Sequence, residues 1–393
     1  MKNPYTFLCR HTAVLCATTV TAALLWSVRL EACTGFYAQA KGRVLAGNNE
    51  DGCNPVTKVW FVPQETGKYG RMYVGYDDLS PQGGVNEKGL WFDAFGLPRK
   101  EIQASAGEIY PGDLQDKLMA ECATVADVLK LLKRYSRAPM TRYQWIFGDR
   151  TGASVVIEGD AILPMQGQYH VITNFRQSEH PGGEGYECGR YQIANAMLKA
   201  RPEVSVGNFR HILAATHSEG SDATLYSYIA DLKRGLVYLY HFHNFENVVV
   251  LDVRKELAKG RHVYHLPELF PKTDAAEGFA YRAHAELAAR KAARLCASFD
   301  AKTFPDYSGR YVIAAPEILA RQTITISTGP NQLFLQLNDG GKWEVLPDSP
   351  ASFFLLSYGG LEFSCHFARD GMGRVDTLFM EGCGLNIKAC RVD

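Results

Sequence analysis

Short runs of alternating apolar and polar residues recur along the chain, and this period of two is typical of half-buried β-strands. Before residue 255 the pattern predicts the strands Thr34–Ala40, Arg43–Asn48, Val56–Val62, Arg71–Tyr76, Trp145–Phe147, Ser154–Glu158, His170–Thr173, Leu236–His243 and Asn247–Val253. Helical spacing predicts helices over Leu114–Ala120, Val125–Tyr135, Tyr191–Leu198 and Asn208–Thr216. Hairpin-connected strands with a few helices between them predict an α+β fold, in which helices pack outside antiparallel sheets.

The last third of the chain has a different pattern. An alanine-rich, charged segment, Ala275–Ala297, predicts a connecting helix. Short strands separated by turns then follow, and they are predicted at Arg310–Ala315, Gln322–Ser327, Gln332–Leu337, Trp343–Leu346, Ser352–Ser357, Leu361–Arg369 and Arg374–Met380. Even spacing of this kind predicts a small antiparallel β-barrel or a sandwich. We therefore predict a first domain over residues 33–272, a helical linker over 273–303 and a β domain over 304–393.

The segment 1–32 is typical of a secretory signal peptide. Lys2 and Arg10 form a short positive start, and the uncharged apolar stretch Thr12–Val28 follows. A cut after Ala32 would make Cys33 the first residue of the mature chain. We therefore expect an exported protein, periplasmic or secreted. A single membrane anchor is the alternative, but the apolar stretch is at the short limit for a span, so stable membrane insertion is not expected.

Charge and cysteine content narrow the expected partners. Lys and Arg (42) balance Asp and Glu (42), so the chain has no general attraction for nucleic acid, which is not an expected partner. Two of the ten cysteines, Cys9 and Cys16, would leave with the signal peptide. Some of the others should pair in an oxidising compartment, and Cys383 with Cys390 is the favoured pair.

The residues around Cys33 form a candidate catalytic site. A first-residue cysteine holds its own α-amine beside its thiol, and the reference pKa of that amine, about 7.7–8.0, suits a base near neutral pH. A two-residue turn at Lys41-Gly42 would place residue i opposite residue 83 − i, so that Cys33 faces Glu50 and lies beside Asp51. An acid there could hold the α-ammonium group. The alternative is that Asp51 caps a turn.

Four sets of short motifs follow one another along the chain. They are Cys33-Thr34-Gly35 with Gly47-Asn48-Asn49-Glu50-Asp51, then Gly84-Val85-Asn86-Glu87-Lys88-Gly89-Leu90, then Thr173-Asn174-Phe175, and last Gly189-Arg190-Tyr191. Over roughly residues 33–255 the chain resembles the linear amide hydrolases of the N-terminal nucleophile superfamily, which include choloylglycine (bile-salt) hydrolases and penicillin V acylases, with acid ceramidase as a relative. The resemblance implies a four-layer αββα fold and cleavage of a small-molecule, non-peptide amide without metal or cofactor.

The resemblance also implies roles for individual residues. Cys33 would be the nucleophile and, through its α-amine, the base, and Asp51 would bind that amine. Asn174 would donate its side-chain amide to the oxyanion of the tetrahedral intermediate. Arg190 would place a permanent positive charge near the thiol and favour the thiolate. For Arg190 the alternative is a surface charge at the start of a helix.

Two positions depart from the family pattern, and we expect both to lie in the substrate-binding part of the site. Asn48 stands where the family usually has Arg, which leaves Arg190 as the only guanidinium that the resemblance carries over. Gly96 stands where bile-salt hydrolases have an Asn of the oxyanion hole, although its backbone N–H could still donate. Because Asn48 supplies no charge, we expect thiol activation to be weaker or differently arranged, and Gly96 argues against specificity for bile salts.

Other features suggest no further chemistry. His241, His243, His262 and His265 lie close together in the sequence, but no acidic partner has ligand spacing, so no metal site is expected. The segment that begins at Tyr307 looks like the lipocalin-like β domain of some secreted β-lactamase-related proteins. We expect this domain to shape substrate access or to hold an apolar group.

Two alternatives to the hydrolase remain open. Leu30-Glu31-Ala32-Cys33 partly resembles a lipobox, and a lipid on Cys33 would block both its thiol and its amine, leaving a lipid-anchored binding protein. An inactive family member is the other alternative, because Asn48 supplies no charge. Acyl transfer to a second amine is the same chemistry as hydrolysis with a different acceptor, and the sequence is compatible with a homo-oligomer.

Overall fold

The computed structural model describes residues 33–102, 107–295, 299–316, 319–338, 340–349, 352–360 and 362–393. The predicted signal peptide, residues 1–32, lies outside the described residues. No helix within the described ranges is both long enough and apolar enough to span a bilayer.

The first part of the chain contains two antiparallel sheets and five α-helices among its described residues. In chain order they are β1 (Thr34–Ala40), β2 (Arg43–Gly52), β3 (Thr57–Val62), β4 (Arg71–Tyr76), β5 (Pro81–Asn86), β6 (Leu90–Gly96), α1 (Leu114–Glu121), α2 (Val125–Leu132), β7 (Tyr143–Asp149), β8 (Ser154–Ile157), β9 (Ile162–Pro164), β10 (Tyr169–Ile172), α3 (Gly189–Ala200), α4 (Val206–Ala215), β11 (Ala223–Asp231), β12 (Leu236–His241), β13 (Asn244–Asp252), α5 (Val253–Leu257) and β14 (His262–His265).

These elements form four layers. The six-stranded sheet has the order β10-β1-β2-β11-β12-β13, and the eight-stranded sheet has the order β14-β3-β4-β5-β6-β7-β8-β9. Apolar residues of both sheets, such as Tyr37 and Leu239 from one and Val59 and Trp91 from the other, share one core between the sheets. Helices α3 and α4 cover the outer face of the first sheet, and α1 and α2 cover that of the second. The predicted αββα arrangement is confirmed.

The hairpin that begins at Cys33 has the predicted register. Thr34 pairs with Asn49 and Gly35 with Asn48, as the rule of i and 83 − i requires. Lys41 and Gly42 form the turn with φ values of 47° and 80°. Two left-handed residues give the turn the twist that a tight hairpin needs. This local geometry fixes which residues of β2 lie nearest to Cys33.

Several strands were absent from the sequence-based prediction, and β11 is the most important of them. It lies between β2 and β12, and every residue of this strand is buried, so it lacks the alternation that identifies a half-buried strand. In β5, Gly83 and Gly84 weaken the strand pattern. A β-carbon at Gly83 would collide with Asp93 Oδ2 and lie 2.5 Å from the Tyr228 hydroxyl oxygen, so a larger residue would displace these two side chains.

The second part of the chain is a connecting helix followed by a closed barrel. Helix α6 spans Asp274–Arg294, and a short helix, α7, spans Phe304–Tyr307. The barrel strands are β15 (Gly309–Ala315), β16 (Thr323–Gly329), β17 (Gln332–Leu337), β18 (Lys342–Pro347), β19 (Ser352–Leu356), β20 (Glu362–Arg369), β21 (Val375–Gly382) and β22 (Leu385–Arg391). Strand β22 was not predicted, yet it closes the barrel by pairing with both β21 and β15.

The barrel interior is filled by its own side chains. Tyr311, Phe353, Phe367 and Leu378 are buried in one cluster, and the rings of Phe353 and Phe367 have centroids 5.5 Å apart. An eight-stranded barrel has just enough width for such a packed interior or for one small ligand. The packing argues against the expectation that the barrel holds an apolar group, and the expectation that it shapes access stays a prediction.

The barrel packs against the two-sheet part beside two of its loops. The backbone N–H of Gly341, between β17 and β18, donates to the carbonyl oxygen of Asp78, just after β4. Gly384, between β21 and β22, lies against Arg99, shortly after the end of β6, because a β-carbon on this glycine would lie 2.9 Å from an Arg99 nitrogen. Arg294, at the end of α6, forms ion pairs with Asp348 and Glu362 of the barrel.

The expected disulfide between Cys383 and Cys390 is wrong. Cys383 lies in the turn before β22 and Cys390 near the far end of that strand, and their thiols are not bonded. A strand of this length covers about 20 Å, whereas the two Cα atoms of a disulfide lie about 4.4–6.8 Å apart.

Candidate active site

Cys33 lies directly before β1 and is buried, with 1% of its surface exposed. The backbone N–H of Asp51 donates to its Sγ at 3.5 Å, and Sγ lies 3.7 Å from the carbonyl oxygen of Asp51. Because Cys33 packs in the core between the two sheets, its thiol points to the inner face of the first sheet. The hairpin therefore places a thiol against the main chain of the predicted acid.

The Asp51 carboxylate is held by two hydroxyl groups. Ser218 donates to Oδ2 at 2.6 Å, and Thr224 donates to Oδ1. Burial raises the pKa of Asp51 to about 7, although these two hydrogen bonds and the positive charges of Arg190 and His217 oppose the increase. The alternative that Asp51 only caps a turn is wrong, because its side chain bonds across to β11 and to the loop after α4.

Sequence reasoning missed Ser218 and Thr224. Thr224 pairs with Asp51 in the β2–β11 ladder, so recognition of β11 as the neighbour of β2 would have identified it. Ser218 lies in the loop between α4 and β11, and its backbone N–H donates to the Thr224 hydroxyl at 2.8 Å. No local sequence signal marks this serine.

Arg190 lies at the start of α3 and reaches the main chain of the nucleophile. Its Nη1 donates to the carbonyl oxygen of Cys33 at 2.5 Å and to the Thr34 hydroxyl at 2.9 Å. Its Nη2 lies 3.4 Å from Oδ1 of Asn174. The alternative of a surface charge at a helix start is wrong, since the guanidinium group links two of the predicted site residues.

Asn174 connects Arg190 to the end of β6. Its Oδ1 accepts from Arg190, and its Nδ2 donates to the carbonyl oxygen of Gly96 at 3.1 Å. An amide nitrogen has two hydrogens, so this bond leaves one donor for a further acceptor. The structure therefore brings Cys33, Asp51, Asn174, Arg190 and Gly96 to one place.

Asn48 was expected in the substrate-binding part of the site, and its surroundings in the structure are buried polar groups. It is fully buried, and its Nδ2 donates to Oε2 of Glu50 at 3.2 Å. The other oxygen of Glu50 accepts from the Tyr76 hydroxyl, on the opposite sheet, at 3.2 Å. Asn48 therefore orients a carboxylate, and its expected contact with substrate stays a prediction.

A second buried polar group lies between the sheets. Trp91 Nε1 donates to the Tyr228 hydroxyl at 2.7 Å, and that hydroxyl donates to Asp93 Oδ2 at 2.5 Å. Tyr226, on the same strand as Tyr228, is also buried. Its burial and the charges of Glu50 and Asp93 raise the pKa of its hydroxyl well above the ordinary value, so this hydroxyl stays neutral. The sequence analysis assigned no role to Asp93, Tyr226 or Tyr228.

The histidines weighed as zinc ligands have other contacts. His217 and His243 stack with ring centroids 5.1 Å apart, and His262 Nε2 lies 3.1 Å from Glu256 Oε2. Across the ranges that the structure describes, no three His, Cys, Asp or Glu side chains are grouped so as to hold a metal ion.

No protein-family model and no curated protein matches the chain. Among solved structures, it is similar to two variants of the conjugated bile acid hydrolase from Clostridium perfringens, each 20% identical with a TM-score of 0.48, over 62% of this chain and 98% of that chain. It is also similar to the penicillin V acylase from Agrobacterium tumefaciens, 16% identical with a TM-score of 0.45, over the same shares of the two chains. These are likenesses to part of this chain.

Proposed function

We propose that the protein is an exported cysteine amidohydrolase that cleaves a linear, non-peptide C–N amide bond through an acyl-enzyme on Cys33. The observation that carries the proposal is the arrangement around the thiol. Sγ lies against the main chain of Asp51, and one guanidinium group, that of Arg190, bonds both the Cys33 carbonyl oxygen and the amide of Asn174. A thiol, a fixed cation and an amide donor are the groups that acyl transfer needs.

The first half of the proposed reaction forms the acyl-enzyme. The α-amine of Cys33 takes the proton of its thiol, and the thiolate attacks the substrate carbonyl carbon to form a C–S bond. The oxyanion accepts a hydrogen bond from the second N–H of Asn174. When the C–N bond breaks, the α-ammonium group returns the proton to the leaving amine, so that a thioester and a free amine result.

The second half releases the acyl group. A water molecule gives one proton to the α-amine and attacks the thioester carbonyl, and collapse of the intermediate breaks the C–S bond. The α-ammonium group then returns the proton to the thiolate, and the product leaves as a carboxylic acid. If a second amine attacks in place of water, the same steps transfer the acyl group.

Arg190 and Asp51 support these steps through charge. The permanent positive charge of Arg190, held on the carbonyl oxygen of Cys33, favours the thiolate over the thiol. In the proposed mature chain, the α-ammonium group would lie near the Asp51 carboxylate. Its positive charge would lower the pKa of Asp51 and keep this buried group ionised.

The proposal requires a free α-amine, so the first experiment reads the N-terminus of the exported protein by intact mass and fragmentation. We expect a chain that begins at unmodified Cys33. A diacylglyceryl group on that residue, or an uncleaved leader, would replace the hydrolase with a lipid-anchored or membrane-anchored binding protein.

The second experiment tests turnover. The mature protein is assayed with acetyl, hexanoyl and phenylacetyl p-nitroanilides, penicillin V and glycocholate. We expect turnover of at least one amide and a thioester-linked acyl mass on Cys33. Substitution Cys33→Ser should lower kcat by about 10³-fold or more. Cys383→Ser is the matched control, because this exposed thiol lies in the turn before β22 of the barrel and should not affect turnover. A folded chain that begins at Cys33 but forms no acyl adduct would support the inactive family member.

A further inference from the structure

Glu50 is a fully buried carboxyl group beside the nucleophile, and the mechanism proposed above does not use it. The β1–β2 ladder ends at the pair Thr34–Asn49, and one residue further along Cys33 lies opposite Glu50. Cross-strand neighbours point to the same face, with β-carbons about 4.5–5.5 Å apart. Both side chains face the second sheet, since Cys33 packs in the core between the sheets and Glu50 bonds Tyr76 of β4.

The neighbours of Glu50 hold it as a hydrogen-bond acceptor. Asn48 donates to one carboxylate oxygen and Tyr76 to the other. These two donors oppose the effect of burial, which disfavours a negative charge on this fully buried side chain. Asn48 therefore stabilises a negative charge near the thiol, at the motif position where the family has a cation.

The other titratable and charged groups around Cys33 and Glu50 come from both sheets, from α3 and from the loop after α4. They are Asp51, Tyr76, Asp93, Arg190, His217, Tyr226 and Tyr228. Tyr226 pairs with Glu50 in the β2–β11 ladder, and the charges of both Glu50 and Cys33 raise the pKa of its hydroxyl group. Glu50 and the thiol therefore lie close enough together to interact through space.

We infer that Glu50 is a positioning residue of the reaction centre, whose negative charge increases the proton affinity of both the α-amine and the thiol of Cys33. This inference rests on the proposed function. Because the α-amine must be neutral to accept a proton, Glu50 moves the acid limb of the pH–rate profile to higher pH. Arg190, with the opposite charge, moves the thiol titration to lower pH.

The test compares Glu50→Gln with Asp93→Asn in the mature protein. Both substitutions replace a buried carboxyl group by an amide of equal size. Asp93 bonds Tyr228, does not lie opposite Cys33, and burial raises its pKa well above the ordinary value. We expect Glu50→Gln to move the acid limb of kcat/KM about one pH unit downward, whereas Asp93→Asn leaves it in place. Glu50→Asp keeps a carboxyl group, so it should leave the acid limb closer to its original pH than Glu50→Gln does.

Equal shifts in the two variants, or no shift in an active Glu50→Gln variant, would overturn the inference. If Glu50→Gln fails to fold, Tyr76→Phe replaces it. This variant removes one donor from Glu50 and should give a smaller shift in the same direction, and an unmoved limb would count against the inference.

The same variants separate this inference from the hydrolase proposal. The thiolate absorbance of Cys33 is titrated in each folded protein, with Cys33→Ser as the blank. If no amide is turned over but Glu50→Gln lowers the thiol pKa, the hydrolase proposal fails and the role of Glu50 stands. If turnover is normal and the thiol pKa does not change, the role of Glu50 fails and the hydrolase stands.

Discussion

The two parts of the molecule bury very different side chains. The two-sheet part buries polar side chains and carboxyl groups, for example Asn48, Glu50, Asp51, Asp93 and Asn174. In the described ranges every buried polar or charged side chain precedes residue 257, so none lies in the barrel. The barrel core consists of aromatic and aliphatic side chains with one cysteine and one methionine. Buried polar groups cost free energy unless they are bonded, so the two-sheet part depends on hydrogen bonds that the barrel core does not need. The candidate site lies in the part that carries these bonded polar groups.

The largest expected effect is a loss of barrel stability that leaves turnover nearly unchanged. Phe353 on β19 is fully buried and contacts Tyr307 and Phe367. Phe353→Ala should lower the free energy of barrel unfolding by about 3–5 kcal/mol, because it leaves a cavity in a packed core. Denaturant unfolding followed by tryptophan fluorescence measures this loss. Turnover below the unfolding transition should stay within about twofold, and a proportional loss of kcat would contradict the division between the two parts.

The next effect concerns the oxyanion donor. Asn174→Ala should lower kcat by about 10²–10³-fold with a smaller change in KM, because the donor acts on charge that develops in the transition state. Asn195→Ala is the matched control, since Asn195 lies on the helix that carries Arg190 and donates to the Tyr191 carbonyl oxygen of that helix. A similar loss in both variants would show a general effect on α3 and would remove the oxyanion role.

The smallest effect is a pH dependence of stability in the unprocessed chain, which keeps the segment 1–32. The folded pKa of Asp51, about 7, lies above the ordinary value, so the folded state binds this proton more tightly than the unfolded state does. Stability should therefore fall as the pH rises from about 4, the ordinary pKa of an aspartate, to about 7, by at most about 1.4 kcal/mol per pH unit.

Asp51→Asn isolates the contribution of Asp51, because every other titratable group is unchanged in this variant. Thermal unfolding at several pH values should show a shallower decline in the variant than in the original protein. In the chain that begins at Cys33 the difference should shrink, because the α-ammonium group lowers the pKa of Asp51. An unchanged difference after processing would show that the amine does not lie near this carboxylate.

Much of the fold could be predicted from local pattern. The bounds of β1, β4 and β17 match the prediction, and the predicted hairpin register is the one observed. Alternation and turn residues act over a few positions, so they can be identified without a partner strand. Strands β11 and β22 were missed for the converse reason. The first is buried on both faces, and the second is defined by its pairing with β15, at the opposite end of the barrel sequence.

The candidate site was predictable to a similar degree. Cys33, Asp51, Asn174 and Arg190 were singled out from motifs, and they lie together in the structure, while their roles stay predictions. Ser218 and Thr224 escaped notice because they act only through contact with Asp51, which lies 167 and 173 residues away from them in the chain.

The sequence by itself determined the short-range features of this protein: the hairpin, its register and the place of Cys33 opposite Glu50. Only the tertiary structure decided that the Asn48 amide bonds Glu50, that Arg190 reaches the carbonyl oxygen of Cys33 and that Asp51 takes two hydroxyl donors. The physical reason is distance along the chain. Backbone hydrogen bonds within a hairpin join near neighbours, whereas burial and electrostatic environment come from elements that meet only when both sheets have formed.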